Sequence, residues 1–242
     1  MKKIERAFIS VCNKNNVIEL ASFLSKNEVQ IFATPGTRKM LEKSGVTVTD
    51  LPGLTASSAE LLGGRLKSVN PLIYAGIASD PENSAEMEQL ETAGGFKFDL
   101  VIIDFPDSSG APMTQKSKEQ KLDESKDLGR INLIRLAADC SGHVGIVASQ
   151  QRYAPLIKEL EGSQLTLTPE LLSSLALEAY ELLADYEIDS FKALNKRVNS
   201  EQFLPDTLFL KYHKAQELRY GENPHQKSCF FREPEIQGVS LC

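Results

Sequence analysis

The 242 residues, 41% apolar and 25% charged, are ordinary for a soluble globular protein and long enough for one large domain with a smaller piece attached. A formal net charge of −6 argues against a general nucleic-acid surface, though not against a local basic pocket for one phosphate. No run approaches the ~20 apolar residues of a membrane span, so no membrane partner is expected. The N-terminus runs into a strand-like segment without a signal-peptide core, which predicts a cytoplasmic location. Cys12, Cys140, Cys229 and Cys242 form no CxxC pair, and with three histidines they predict free thiols rather than a zinc site. Tryptophan is absent, so the core is expected to rest mainly on Leu, Ile, Val and Ala.

Ala7 to Val11 has the length and composition of a strand. Val17, Leu20, Ala21 and Leu24 then follow at the i, i+3, i+4, i+7 spacing of an amphipathic helix. Val29 to Ala33 reads as a second strand. Thr34-Pro35-Gly36-Thr37 is a turn opening a short helix through Met40 and Leu41, and Val46-Thr47-Val48 is expected to be a third strand. Such alternation predicts βαβ units and a parallel sheet. Leu100 to Ile103, continuously apolar, suits a central parallel strand buried on both faces. Residues 107–126 are polar and read as a solvated loop. Leu128 to Ala138 is helix-like, and Val144 to Ala148 a strand. Tyr153, Leu156, Ile157 and Leu160 keep helical spacing. Thr168-Pro169 resembles an N-cap with Pro at N1, opening a helix with Leu172, Leu175, Ala176, Ala179 and Leu183 on one face. After Pro205 a short apolar run, Leu208-Phe209-Leu210, leads into a segment too small for its own core. It must dock on the main domain, on a partner, or belong to a longer protein.

In an open α/β sheet, ligands bind beyond the carboxyl ends of the strands. Three segments belong there: Ser10 to Lys14, Thr34 to Thr37, and Gly63 to Ser68 with Arg65 and Lys67. Hydroxyls, a glycine admitting backbone N–H groups, and nearby cations suit a phosphate cradle. Each segment is equally good turn chemistry. Asp127 has two readings as well: an acid satisfying a helix start, or an acceptor for a ligand amide or hydroxyl.

Taken in order, these segments resemble the AICAR transformylase/IMP cyclohydrolase (PurH) family. The family's Ser-Val-Ser-Asp-Lys is matched by Ser10 to Lys14, with Cys12 and Asn13 as changes. Its Ser-Thr-Gly-Gly-Thr is matched by Ala33 to Thr37, and its Gly-Arg-Val-Lys-Thr-Leu-His-Pro by Gly64 to Pro71. Asp-Ile-Gly-Gly corresponds to Asp127-Leu128-Gly129-Arg130. Leu-Arg-Tyr-Gly-Glu-Asn-Pro-His-Gln stands unchanged at Leu218 to Gln226.

The resemblance implies an α/β, methylglyoxal-synthase-like parallel sheet flanked by helices over residues 1–197. Residues 198–242 would be a linker and the short opening of a transformylase-type domain. It further implies closure of formyl-AICAR to IMP with loss of water, without metal or organic cofactor, on a small-molecule purine nucleotide, in a homodimer. Carried over by position, Ser10, Lys14, Thr34, Gly36, Thr37, Arg65, Ser68 and Gly129 hold the nucleotide. Lys67 serves electrostatics or proton transfer, and Asp127 orients the reacting amide. Arg219 and Tyr220 match residues that bind AICAR in the transformylase site.

The chain departs from the pattern at several places. Asp104-Phe105-Pro106 replaces Asn-Leu-Tyr-Pro-Phe, removing a tyrosine hydroxyl. Asp139 replaces a lysine, Arg130 a glycine and Asn70 a histidine. Losing one oxyanion donor typically costs ~10²–10³ in rate, so impaired ring closure is one expectation. A non-catalytic nucleotide-binding module, or a dimerising remnant, is the other. Asp104 and Asp139 facing the ligand site would disfavour a phosphorylated substrate.

Overall fold

The computed structural model describes residues 2–12, 16–50, 66, 68–104, 129–199, 207–223 and 225–233. They fall into two compact units, divided between Glu187 and Ile188.

The first unit is built on four parallel strands in the order β3-β2-β4-β5, where β2 is Arg6–Ser10, β3 Gln30–Ala33, β4 Leu100–Ile103 and β5 Gly145–Val147. Strand side chains alternate between faces, and this alternation divides the core into two layers. Ala7, Ile9, Ile31, Leu100 and Ile102 pack with Leu20 and Leu24 of α1 (Val17–Lys26), Leu41 of α2 (Pro35–Lys43), and Leu156 and Leu160, the last two on a helix considered below. Phe8, Phe32, Val101, Ile103 and Ile146 face the other way, onto Ile73 and Ile77 of α3 (Pro71–Ala78). The exposed helix α4 (Ser84–Thr92) follows, and α5 (Arg130–Asp139) adds Leu133, Ile134 and Ala137 to the second layer.

A short 3-10 turn, Gln150–Arg152, then leads into α6 (Tyr153–Gly162), the source of Leu156 and Leu160. The long helix α7 (Pro169–Val198) starts where the Thr168 hydroxyl accepts the Leu171 N–H at 3.2 Å. Along α7, Leu172 and Leu175 join the first layer while Ala176, Ala179 and Leu183 join the second. Each fully buried Leu or Ile contributes about 1.5–3 kcal/mol, so the two layers hold the sheet from both sides.

The central strand reading is borne out, since all four residues of β4 are buried between β2 and β5. At its amino end the Asp99 carboxylate accepts the backbone N–H groups of Glu5 and Arg6 at 2.9 and 3.0 Å, fastening β2 to β4. The core is not purely aliphatic: Phe98 packs against Phe8 and Phe32 with centroids 5.7 and 5.4 Å apart.

The expected strand at Val46 to Val48 does not form. A single parallel bridge joins Phe32 to Thr49, and the Thr49 N–H donates to the Ile31 carbonyl at 2.7 Å. Val46 and Val48 are buried, so their apolar alternation reflects burial at the sheet edge without a hydrogen-bonded ladder. A two-residue ladder that the sequence pattern misses, β1 (Lys2–Lys3) with β6 (Thr166–Leu167), pairs antiparallel. The polar stretch 107–126 lies outside the described residues.

The second unit contains an antiparallel hairpin, β7 (His213–Leu218) with β8 (Ser228–Arg232). Between the two strands, the Gly221 N–H donates to the Gln226 carbonyl at 2.8 Å and the Gln226 N–H to the Asn223 carbonyl at 3.0 Å. Phe191 and Phe209 meet edge to face at 5.1 Å within this unit.

Candidate functional site

The carboxyl ends of β2 and β3 bring three hydroxyls together. Ser10 is the last residue of β2, Thr34 the N-cap of α2, and Thr37 sits in the first turn of that helix; all three are buried. Pro35 at N1 presets the helical φ, and α2 therefore begins directly after the strand. The Thr34 hydroxyl lies 3.3 Å from both Ser10 Oγ and Thr37 Oγ1, so its single proton serves one neighbour at a time. Thr37 Oγ1 also accepts the Val11 N–H at 3.2 Å. A Cβ built on Gly36 would meet nothing within 4 Å, so the backbone at the start of α2 is open to approach. A helix start with open backbone and its partial positive charge is suited to an anion.

Ser68 and Gly129 meet at the start of α5. Ser68 is buried, and a Cβ on Gly129 would stand 2.4 Å from Ser68 Oγ and 2.7 Å from Val69 Cγ2. Only glycine lets the start of α5 approach so closely. The Tyr74 hydroxyl donates to the Gly129 carbonyl at 3.4 Å. Asn70, which replaces the family's histidine, caps α3: its side chain accepts the Leu72 N–H at 2.8 Å.

Two of the departures from the family pattern meet each other. Arg130 Nη1 donates to Asp104 Oδ1 at 2.8 Å and to the Asp104 carbonyl at 2.7 Å, and both side chains are 3% exposed. The same nitrogen lies 3.3 Å from the Ser10 carbonyl, while Asp104 Oδ1 accepts the Cys12 N–H at 2.6 Å and Oδ2 faces Gln150 Nε2 at 3.3 Å. The pair thus joins the ends of β2 and β4 to the start of α5. The acid at position 104 is matched by a cation from a distant helix, and reading each position separately could not reveal this.

Tyr153, at the start of α6, is buried beside the pair, and its hydroxyl has no hydrogen-bond partner among the described residues. Burial pushes the phenol well above its ordinary range; the nearby Asp104 charge adds to this and Arg130 opposes it.

Asp139 stands elsewhere. It is the last residue of α5, about 14 Å along the helix axis from Arg130. Its carboxylate accepts a hydrogen bond from the Tyr180 hydroxyl, which raises the Tyr180 pKa. The carboxyl ends of the strands therefore do not receive this acid. Asp104 is there, but held against Arg130.

Of the remaining expected site residues, Lys14, Arg65, Lys67 and Asp127 lie outside the described residues. Arg219 and Tyr220 sit in the hairpin turn of the second unit, both exposed. No group of His, Cys, Asp and Glu arranged to hold a metal ion occurs among the described residues. None of the described helices is long and apolar enough to cross a membrane. Cys12, Cys140 and Cys229 are free.

The fold defines an MGS-like α/β protein. The MGS-like domain model matches residues 16–126. The crystal structure of ForH superposes with a TM-score of 0.64 at 24% identity, over 76% of this chain and 96% of that one, a likeness of fold.

The AICARFT/IMPCHase bienzyme model matches residues 137–241. Three proteins named bifunctional purine biosynthesis protein PurH are similar along nearly the whole chain. That of Acetivibrio thermocellus is 32% identical over 95% of this chain, that of Elusimicrobium minutum 30% over 96%, and that of Clostridium botulinum strain Hall 33% over 94%. Along nearly its whole length the chain is therefore similar to the AICARFT/IMPCHase (PurH) family. It spans 44% of the length of each of these relatives.

Proposed function

We propose that this chain is the IMP cyclohydrolase-type part of a PurH protein of purine biosynthesis, closing formyl-AICAR to IMP. The observation that carries this reading is the gathering of Ser10, Thr34 and Thr37 at the carboxyl ends of β2 and β3, a corner that Arg130 of α5 reaches through the Ser10 carbonyl. In ring closure the carboxamide nitrogen attacks the formyl carbon, the formyl oxygen takes up a proton, and water leaves. The protein must anchor the phosphate, stabilise the developing oxyanion and move protons. In this reading Ser10, Thr34, Gly36, Thr37 and Ser68 hold the nucleotide together with Lys14 and Arg65. Lys67 stabilises charge or transfers a proton, Asp127 orients the amide, and Gly129 allows the close approach of α5. No metal or organic cofactor is required by this chemistry.

The position of Asp139 supports turnover, because the lysine-to-acid exchange does not bring a negative charge to the strand ends. Residues 1–197 form the cyclohydrolase-type part in this reading, and residues 198–242 the opening of a transformylase-type part to which Arg219 and Tyr220 belong. The protein works in the cytoplasm as a homodimer. Exposure of Leu208, Leu210, Tyr212, Phe230 and Phe231 supports a further surface over the second unit.

The missing family tyrosine favours a second reading, a nucleotide-binding module without turnover. Ring closure of formyl-AICAR followed spectroscopically, with Lys67→Ala as control, separates the two. Turnover abolished by the substitution supports the enzyme. Folded protein that binds IMP without turnover above the control refutes it and leaves the binding module.

A further inference from the structure

The sheet of the second unit has two strands, β7 and β8, and none of the described residues of that unit is buried. A hairpin by itself is marginally stable at best in water, and further strands or a packed helix are needed to hold it. Its two outer edges differ. β7 is interrupted by the register shift between Lys214 and Gln216, and its Lys214 and Glu217 side chains pair with each other at 2.8 Å. Bulges and charged residues are what protects an edge from pairing. β8, Ser228-Cys229-Phe230-Phe231-Arg232, carries no extra residue and pairs on one side only among the described residues. It exposes Phe230 at 56% and Phe231 at 49%. Such an edge is a template for another strand.

The β8 segment is also complementary to itself. About a twofold axis through Phe230, an antiparallel copy sets Ser228 opposite Arg232, Cys229 opposite Phe231, and Phe230 opposite its own copy. All five strand residues are then paired. The smallest shift that keeps the hydrogen-bonding groups facing each other is two residues, and it leaves two of the five outside the ladder. Just beyond the strand ends, Lys227 falls opposite Glu233 of the copy, and Glu233 opposite its Lys227. Both residues are exposed, so two opposite-charge pairs flank an aromatic centre. Aromatic and opposite-charge pairs directly across a ladder stabilise it, and like charges there oppose it.

We propose that β8 is the self-association edge of this protein, pairing antiparallel with β8 of a second copy into a four-stranded sheet of order β7-β8-β8-β7. The inference deepens the homodimer reading given above and rests on it. Lys227 and Glu233 fix the register, because either end pair turns repulsive when one of its charges is reversed.

The test is analytical ultracentrifugation of the full chain at low salt, with charge variants at these two exposed positions. The parent is expected to dimerise. Lys227→Glu sets carboxylates opposite Glu233 at both ends of the ladder, and Glu233→Lys sets ammonium groups opposite Lys227. Each alone is expected to weaken dimerisation roughly tenfold. Mixing the two single variants makes both end pairs opposite in charge again, so a heterodimer of about parental affinity is expected. The double variant Lys227→Glu/Glu233→Lys is likewise expected to dimerise as the parent does. A single variant as dimeric as the parent, or a mixture no tighter than its components, overturns the β8 edge and leaves the homodimer reading in place. A monomeric parent refutes the homodimer reading, and this inference with it.

Discussion

Gly129→Ala isolates the contact between the start of α5 and the segment bearing Ser68. The backbone at Gly129 (φ −84°, ψ −21°) is open to any residue, so alanine meets no conformational penalty. Loss of unfolded-state freedom would by itself stabilise the protein by ~0.4–1 kcal/mol. Against this stands a methyl group 2.4 Å from Ser68 Oγ, 2.7 Å from Val69 Cγ2 and 3.2 Å from the Val69 nitrogen. Ordinary contact begins near 3.5 Å, so Ser68 must retreat by roughly 1 Å, and overpacking of this kind costs about 1–3 kcal/mol. The expected net effect is a destabilisation of about 1–2 kcal/mol in urea denaturation followed by circular dichroism. Since Ser68 is proposed to hold the nucleotide, a shift of that size in its hydroxyl should also weaken IMP binding measured on the folded variant. Equal or higher stability with unchanged affinity would refute the reasoning, because the close approach would then carry neither energy nor function.

Gly36→Ala provides the contrast: with nothing within 4 Å of the new methyl, stability should hold or rise by ~0.5–1 kcal/mol, while IMP affinity falls if the ligand approaches this backbone. Tyr153→Phe removes a buried hydroxyl that has no partner among the described residues, so the urea midpoint should be unchanged or slightly higher. Asp99→Ala removes the acceptor of two backbone N–H groups at the amino end of β4 and should cost about 2–4 kcal/mol, read in the same denaturation assay.

The alternation of apolar runs and helical spacing in the sequence determined most of the architecture. Val17, Leu20, Ala21 and Leu24 are all fully buried on α1, as their spacing requires, and the four apolar residues of β4 occupy the centre of the sheet. These are local properties, because a periodic stripe needs only a core to face. The Ser10, Thr34 and Thr37 positions were likewise legible, since parallel strands place their following turns at one edge. The hairpin from His213 was not legible. All six residues of β7 are exposed, so no burial pattern marks the strand.

Val46 to Val48 shows the opposite limit, where alternation and burial are present and the ladder is reduced to one bridge. Tertiary structure alone decided the meaning of the charged departures. Asp104 and Arg130 are 26 positions apart and become partners in one buried ion pair, whereas Asp139, on the same helix as Arg130, is carried to its far end. A charge acts through distance and solvent exposure, and neither is written in the order of residues along the chain.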